Sequence, residues 1–310
     1  MKLRTWFRYT LLFLLGMITL ILLIYTRFDI PVEKLKAKYT NEESEFIAIQ
    51  GMQIHYRDEG KGIPLVLLHG TSASLHTWEA WTQVLKKNYR VLRLDLPAYG
   101  LTGPHPQRKY DLNMYLSVLH EFFQKKGIRE FYLGGNSFGG LLAWEYALAY
   151  PQEVQKMILV DASAYPSKRK SPWVFRLAKI PVLNQIVRYV TPKFFFKNNL
   201  EQVYGNDAKI TDELLNRYYE LGLRDGNRQA FIDRIQHISK NHHEQIKNIQ
   251  TPTLILWGEK DTWIPLENGQ KLDADLPNSK LIVYPGLGHV PMEEDPETTV
   301  KDVADFLKNP

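Results

Sequence analysis

Residues 131–140 read FYLGGNSFGG and contain the pattern Gly-x-Ser-x-Gly at positions 135–139. The glycines around Ser137 leave room for a sharp turn that any Cβ would block. Such a turn between a strand and a helix lifts the serine hydroxyl above the sheet and places it at the N-terminus of the helix. A chain of ordinary composition contains the pattern by accident roughly one time in ten. The pattern therefore predicts a nucleophile only where a strand precedes it and a helix follows it.

Alternating apolar strands and amphipathic helices surround this motif. The predicted strands are 46–50, 52–57, 63–69, 89–96, 130–134, 156–161, 253–257 and 280–284. The predicted core helices are 75–87, 111–126, 138–150, 265–276 and 296–308. This alternation predicts an α/β fold with a doubly wound, mostly parallel sheet of eight strands. Ser137 then stands between a strand and a helix, as a nucleophile at such a turn must.

Two other chemically suited side chains follow strands of the predicted sheet. His289 lies in GLGHVP, after the last strand, and Asp261 lies in WGEKDTWIP, after the strand before it. In doubly wound sheets the active site lies at the carboxyl ends of the strands. A histidine there can take the serine proton, and a buried carboxylate can hold the imidazole in the correct tautomer. Asp161, at the end of the strand 156–161, is a rival for the role of the acid.

Residues 45–310 resemble the α/β-hydrolase superfamily, in the branch with a helical cap. The resemblance is carried by Ser137, Asp261 and His289, which occur in the family's order of nucleophile, acid and base. It implies a serine hydrolase and favours Asp261 over Asp161 as the acid. Haloalkane dehalogenases and epoxide hydrolases of the superfamily have an aspartate nucleophile in place of the serine, so neither activity is expected.

The resemblance also implies an oxyanion hole made of two backbone N–H groups. One belongs to Phe138, the residue after the nucleophile, and the other to Thr71, in the HGT loop that follows the strand 63–69. His69 is expected to brace that loop. The sequence contains no dinucleotide fingerprint, no phosphate-binding loop and no H-E-x-x-H spacing, so neither a cofactor nor a metal ion is expected.

The predicted core runs over 45–162 and 250–310, and the segment 163–249 between two core strands is predicted to form the helical cap. The first part of the cap contains eight basic residues and no acidic one. They are Lys168, Arg169, Lys170, Arg176, Lys179, Arg188, Lys193 and Lys197. Apolar residues lie between these cations, and two interpretations stay open: a surface for anionic lipid headgroups, or a cap that packs its apolar side on the core and turns its cations to water.

The N-terminus contains 18 consecutive uncharged residues, 9–26, between Arg8 and Arg27. As a helix they would span roughly 27 Å, close to the thickness of the bilayer hydrocarbon. Basic residues precede the run, so residues 1–28 are predicted to be a transmembrane anchor with its N-terminus in the cytoplasm and the catalytic domain on the extracytoplasmic side. Residues 29–44 are predicted to be a tether. Two alternatives stay open: a cleaved signal peptide, although the run lacks a small-residue exit site, and a buried helix of the globular domain, although three basic residues precede the run at an extreme terminus.

The leading functional hypothesis is therefore a membrane-anchored serine hydrolase that cleaves carboxylic esters, with hydrophobic or acyl groups, through an acyl-enzyme. The expected partners are a small ester and membrane lipids, and no nucleic acid. Hydrolysis of a carbon–carbon bond in a diketone is the alternative, because some relatives with a similar Gly-Asn-Ser-x-Gly-Gly turn catalyse it. A non-catalytic receptor or scaffold on the same fold is the third hypothesis. The chain contains no cysteine, which excludes disulfides and a cysteine nucleophile.

Overall fold

The computed structural model describes residues 2–166, 173–181, 183–236 and 241–308. The described chain forms one eight-stranded sheet in the order β1-β2-β4-β3-β5-β6-β7-β8. The strands are β1 Ser44–Ile49, β2 Met52–Glu59, β3 Pro64–Leu68, β4 Arg90–Leu94, β5 Phe131–Asn136, β6 Val154–Val160, β7 Thr253–Gly258 and β8 Ser279–Tyr284. β2 is antiparallel to β1 and β4, and the other neighbours are parallel. The prediction of a mostly parallel eight-stranded sheet is thus confirmed.

Helices α3 and α13 pack on one face of this sheet, and α4 and α5 pack on the other. The α-helices of the described residues are α1 Lys2–Tyr25, α2 Val32–Tyr39, α3 Glu79–Leu85, α4 Leu112–Lys125, α5 Phe138–Ala149, α6 Trp173–Ala178, α7 Asn184–Tyr189, α8 Lys193–Val203, α9 Asp212–Gly222, α10 Asn227–Gln236, α11 Leu266–Asp275, α12 Pro291–Glu294 and α13 Pro296–Lys308. Short 3₁₀ helices lie at Leu75–Trp78, Asp207–Lys209 and His243–Asn248.

The central strand β3 shows why its sequence is apolar at every position. Leu65 and Leu67 pack in the cluster that includes side chains of α3 and α13. Val66 and Leu68 point to the opposite face, in the cluster with side chains of α4 and α5. Because successive side chains of a strand alternate between faces, a strand covered on both sides must be apolar throughout. The loops at the carboxyl ends of β5, β6, β7 and β8 are thereby held on a rigid base.

The helices α6 to α10 lie between β6 and β7, within the segment for which the sequence predicts a cap. The exact limits of that cap stay a prediction. Residues 168–170, which contribute three of its eight cations, lie outside the described residues. The hypothesis that this basic segment faces lipid headgroups is therefore not supported by the structure.

The predicted transmembrane anchor is wrong. In the described part of the chain, no helix combines the length and the apolar character that crossing a bilayer requires. An uncharged run predicts a membrane span only if the helix it forms meets both conditions. The predicted placement of the N-terminus in the cytoplasm and of the catalytic domain across the membrane rested on that span, as did the expected lipid contact of the N-terminal helix.

The segment 29–44 is docked on the rest of the molecule, whereas the sequence predicted a tether. Within it, α2 buries Leu35 against Leu101 and Leu221. The polar composition of this segment hid one apolar stripe, since Val32, Leu35 and Tyr39 are spaced so that they share one side of a helix. The N-terminal segment consequently contacts both the core and the helices between β6 and β7.

Candidate active site

The Gly-x-Ser-x-Gly sequence forms a strained turn between β5 and α5. Ser137 has φ 53° and ψ −111°, a backbone conformation that residues with a side chain rarely adopt. A Cβ on Gly135 would run into the backbone of Gly139, and a Cβ on Gly139 would run into the backbone of Leu68. Only glycine fits at both positions, so the spacing of the motif is the spacing that this close turn needs. The half-buried Ser137 is left at the first turn of α5.

The other two residues of the predicted triad lie together. Nδ1 of His289 is 2.6 Å from Oδ2 of Asp261, and both side chains are buried. The second oxygen of Asp261 accepts the backbone N–H groups of Trp263 at 2.7 Å and Ile264 at 2.9 Å. These bonds fix the carboxylate, which leaves one oxygen for the imidazole. A histidine that donates Nδ1–H to a carboxylate has Nε2 free to accept a proton, as a general base requires.

Asn136 connects the serine turn to the histidine loop. Its side-chain amide donates to the backbone carbonyl of His289 at 3.0 Å and to that of Val160 at 3.1 Å. The residue beside Ser137 therefore holds the loop that carries His289 against the carboxyl end of β6. Sequence reasoning gave Asn136 no role, although its place inside the motif was a signal that could have been used.

The loop that carries Thr71 passes directly beside the serine turn. A Cβ on Gly70 would lie 2.7 Å from Oδ1 of Asn136 and 3.2 Å from Cβ of Ser137, so any other residue would force the two segments to move apart. Phe138, the other predicted oxyanion donor, begins α5, where a helix offers N–H groups without partners. The two backbone segments that carry the predicted donors thus flank Ser137, and their role in binding an oxyanion stays a prediction.

His69 braces this loop. Its Nδ1 lies 2.7 Å from the carbonyl oxygen of Gly70, and its Nε2 accepts the N–H of Leu96 at 2.9 Å. Burial lowers the pKa of His69. The ring is therefore neutral, with the proton on Nδ1 donated to Gly70, and it fixes the start of the loop that carries Thr71.

Arg234, on α10, reaches the same place, and sequence reasoning did not select it. Its Nη2 donates to the hydroxyl of Thr71 at 2.7 Å, and its guanidinium carbon lies 4.3 Å from the centre of the Phe138 ring. Nε of Arg234 is buried and has no hydrogen-bond partner among the described residues. A positive charge with an unused donor therefore stands beside both predicted oxyanion donors. No local motif marks it, because Arg234 is 163 residues from Thr71 along the chain.

Asp161, the rival acid, lies beside the histidine–aspartate pair. A carboxylate oxygen of Asp161, one of Asp261 and a ring nitrogen of His289 all lie within 4.8 Å of one another, and all three residues are buried. Asp161 Oδ1 accepts the N–H of Gly258 at 3.0 Å. Burial, followed by the charge of Asp261, raises the pKa of Asp161 well above its usual range. The 2.6 Å hydrogen bond between His289 and Asp261 joins two of these three residues to each other, so the arrangement fits a hydrogen-bonded pair with a third acid beside it better than a metal site.

A cavity of about 370 Å³ lies between the core loops and the helices that follow β6. Phe175, Phe196 and Phe231 contribute rings from the α6–α10 segment, and Tyr99 contributes one from the core. Trp263 lines the cavity and stacks on His289, with ring centres 5.9 Å apart. Trp263 thus connects the predicted base to an aromatic cavity that is large enough for a small organic molecule.

The chain is similar to known hydrolases over most of its length. A family model described as alpha/beta hydrolase fold matches residues 63–296. A 2-hydroxy-6-oxononadienedioate/2-hydroxy-6-oxononatrienedioate hydrolase of Pseudomonas putida is 28% identical over 272 residues, which cover 83% of this chain and 92% of that protein. The structure of a meta-cleavage product hydrolase from Pseudomonas fluorescens IP01 is 25% identical, with a TM-score of 0.75, and the match covers 86% of this chain and 98% of that one. A membrane phospholipase A described as a bacterial virulence factor is 26% identical, with a TM-score of 0.73, and that match covers 99% and 98%.

Proposed function

The chain belongs to the α/β-hydrolase fold family, with homologues among the meta-cleavage product hydrolases, and we propose that it is a hydrolase with Ser137 as its nucleophile. The observation that carries this proposal is the 2.6 Å hydrogen bond between buried His289 and Asp261. This pair lies at the carboxyl ends of the strands, where Ser137 has its strained backbone conformation. The Ser137 hydroxyl attacks a carbonyl carbon while Nε2 of His289 takes its proton. Asp261 stabilises the imidazolium that forms.

The negative charge that develops on the carbonyl oxygen needs donors that are already in place. The backbone N–H groups of Phe138 and Thr71 are proposed for this role, because their segments flank Ser137. Arg234 adds a positive charge at the same place through its bond to the Thr71 hydroxyl. Removing one donor of an oxyanion hole typically slows catalysis by roughly 100- to 1000-fold.

We propose that the bond cleaved is a carbon–carbon bond next to a ketone. Two relatives that match most of the chain are named as hydrolases of 2-hydroxy-6-oxo compounds or of meta-cleavage products. Attack of Ser137 on the ketone gives an acyl-enzyme and releases the neighbouring carbon, which takes the proton held by His289. Water then hydrolyses the acyl-enzyme, so the net reaction is R–CO–CH₂–R′ + H₂O → R–COOH + CH₃–R′. The charge of Arg234 suits a substrate that carries oxo or carboxylate groups near this bond.

Carboxylic-ester hydrolysis is a second candidate, favoured by two specific observations. The similar membrane phospholipase A covers nearly the whole chain, and the cavity beside His289 is lined mainly by apolar and aromatic side chains. The same three residues serve both reactions, since both begin with serine attack on a carbonyl carbon and differ in whether carbon or oxygen leaves. The proposed cap, residues 163–249, would choose between them through the shape of the cavity.

The two candidates are separated by comparing 2-hydroxy-6-oxononadienedioate with a series of p-nitrophenyl esters of increasing acyl length. We expect kcat/KM for the dienedioate to exceed that for every ester, and Ser137→Ala to abolish both activities. A preference for esters by tenfold or more would contradict the carbon–carbon assignment and favour the second candidate. A fluorophosphonate probe that fails to label the folded wild-type protein would contradict the hydrolase proposal itself and favour a binding protein.

A further inference from the structure

Asp161 is a fully buried acid for which the proposed reaction provides no use. It follows β6 at the same sheet edge as the proposed triad, with 0% of its surface exposed. Its Oδ1 accepts the N–H of Gly258, at the end of β7. Its Oδ2 is buried and meets no hydrogen-bond donor among the described residues. A carboxylate oxygen of Asp161 and one of Asp261 lie within 4.8 Å of each other, and a side-chain hydrogen bond to Asp261 is among the causes that raise the pKa of Asp161.

These contacts determine the state of Asp161. An ionised carboxylate accepts hydrogen bonds at both oxygens, whereas a protonated one has an O–H to donate. An ionised Asp161 would leave Oδ2 buried without a donor and would place a second negative charge beside Asp261, and both effects are costly. A protonated Asp161 removes both costs, because Oδ2–H can donate to the nearby carboxylate of Asp261.

We propose that Asp161 is a positioning residue: a neutral carboxylic acid that donates its proton to Asp261 and keeps that carboxylate aimed at His289. The inference rests on the proposed function, because it takes Asp261 to be the partner of the catalytic base. Asp261 then accepts three kinds of donor, namely the Trp263 and Ile264 amides, the His289 ring and the Asp161 hydroxyl. Such a fully bonded carboxylate cannot rotate away from the imidazole.

The other titratable groups around Asp161 agree with a neutral state. Asp261 and Glu294 both act to raise the pKa of Asp161, after burial, which has the largest effect. Glu294 belongs to α12 and binds the N–H of Gly288 at 2.7 Å. Tyr284, at the end of β8, is itself buried, and burial raises its pKa. The amide of Gly258 opposes protonation, but it reaches only one of the two oxygens.

The test compares Asp161→Asn with Asp161→Ala, using hydrolysis of p-nitrophenyl butyrate from pH 5 to 9. Asparagine has the shape of a protonated aspartate and keeps both an acceptor for Gly258 and a donor for Asp261, whereas alanine keeps neither. We expect Asp161→Asn to stay within about threefold of the wild-type kcat/KM and Asp161→Ala to fall by about tenfold or more, as loss of a hydrogen bond to a charged group predicts. Asp261→Asn should lose roughly 10,000-fold.

The pH dependence of kcat/KM shows whether Asp161 carries a charge. If Asp161 is neutral, Asp161→Asn changes no charge, and the acid limb of kcat/KM stays in place. In Asp161→Ala the limb moves to higher pH, because Asp261 without its donor attracts the imidazolium proton more strongly. If Asp161 is ionised, Asp161→Asn removes a negative charge near His289, and the limb moves to lower pH by about one unit. That shift, or a loss as large as that of Asp261→Asn, overturns the proposal.

Failure of the proposed function gives a different result. If Asp261 is not the partner of the base, Asp261→Asn retains activity, whatever Asp161 does. If only the inference about Asp161 is wrong, Asp261→Asn is inactive and Asp161→Asn is damaged as well. An inactive Asp161→Asn with a normal Asp261→Asn would make Asp161 the catalytic acid and overturn both.

Thermal unfolding provides a measurement that needs no activity. A group protonated in the native state but ionised after unfolding makes the protein less stable as pH rises from its unfolded pKa, about 3.9, toward its folded pKa. Asparagine has no such dependence. The Tm of Asp161→Asn should therefore equal that of the wild type near pH 4 and exceed it increasingly toward pH 8. A difference that does not grow with pH overturns the proposal.

Discussion

Ser137 shows how one residue can be placed by the requirements of its neighbours. Its positive φ is disfavoured for any side chain, and it is imposed because β5 ends and α5 begins within a single turn. The packing of Gly135 and Gly139 against the neighbouring backbone makes this turn possible. The unfavourable backbone conformation of Ser137 is offset by the burial of the apolar strand and helix on either side of it in the core.

Replacement of Arg234 tests whether a residue of the proposed cap contributes to the active site. We expect Arg234→Met, which keeps the length of the side chain and removes its charge, to lower kcat/KM by roughly 10- to 100-fold. The reason is that the charged hydrogen bond to Thr71 is lost beside the proposed oxyanion donors. The kcat/KM of Arg234→Lys should lie between those of the wild type and Arg234→Met, because lysine keeps the positive charge but lacks the planar guanidinium group.

Arg108→Met is the matched control for Arg234. Arg108 binds Asp233, the neighbour of Arg234 on α10, at 2.5 Å, but it lies on the outside and is largely exposed. Both substitutions remove an arginine bound at the same helix, so both report on helix stability. Equal losses of activity in the two variants would show that Arg234 merely holds α10 in place.

At the scale of the elements, an ion-pair network fixes α3 to the sheet. Glu79 begins α3 and accepts hydrogen bonds from Arg57 of β2 at 2.9 Å and from Arg93 of β4 at 2.7 Å. Arg93 also binds Glu59 of β2, at 2.5 Å. Burial opposes ionisation of Glu79, but the arginines outweigh it and lower the pKa of Glu79 to about 2. The network therefore couples the helix that follows the Thr71 loop to two strands.

The lowered pKa of Glu79 predicts a pH-dependent stability. A carboxylate with a depressed folded pKa stabilises the protein above its unfolded pKa, about 4.3, and this contribution is lost as pH falls toward 2. We expect Glu79→Gln to lower Tm by roughly 2–4 °C at pH 7, since Glu79 is partly exposed and screened by solvent. The difference from the wild type should shrink as pH falls below about 4.5.

The control for Glu79 is Glu121→Gln, which breaks a surface pair with Lys125 at 2.9 Å within α4. Thermal unfolding from pH 3.5 to 7.5 should show almost no effect of this change, because exposed pairs within one helix contribute little. A Glu79→Gln variant with a constant Tm difference across that range would mean that ionisation of Glu79 does not stabilise the fold.

At the scale of the whole molecule, the N-terminal segment is attached to the wall of the cavity. Arg228, on α10, is buried, lines the cavity and binds Asp29 at 2.6 Å. It also donates to the carbonyl oxygen of Arg27 at 2.7 Å and to the hydroxyl of Thr191 at 3.1 Å. One buried arginine thus joins residues that are about 200 positions apart in the chain, at the boundary of the proposed substrate cavity.

Replacement of Arg228 should loosen this attachment. We expect Arg228→Met to make trypsin cleave after Arg27 at least about fivefold faster, because breaking a buried ion pair leaves the other partners without compensation. The same variant should show a raised KM for its best substrate, since the side chain lines the cavity. Lys38→Met, which breaks an exposed pair with Glu220, is the control. An unchanged cleavage rate in Arg228→Met would contradict the proposed attachment.

Local patterns were sufficient for much of the fold. Strand and helix positions, and the mostly parallel sheet, followed from spacing and from runs such as 63–69, because alternation and burial are properties of neighbouring residues. The candidates Ser137, His289 and Asp261 were also chosen from local motifs, and the structure brings His289 and Asp261 into contact. The pattern misleads at the N-terminus, where the absence of charge predicts a membrane span that no described helix provides, and where a polar stretch hides the apolar residues that dock α2.

Contacts between distant parts of the chain were beyond the reach of such patterns. The bond from Arg234 to Thr71, the place of Asp161 beside Asp261 and the docking of α2 all join residues whose separation in sequence has no fixed relation to their separation in space. Periodicity reveals which side of an element is buried, but not against what it is buried. The residues of this chain therefore determine an α/β-hydrolase fold by themselves, and only the packing of the folded chain decides which charges and acids surround Ser137.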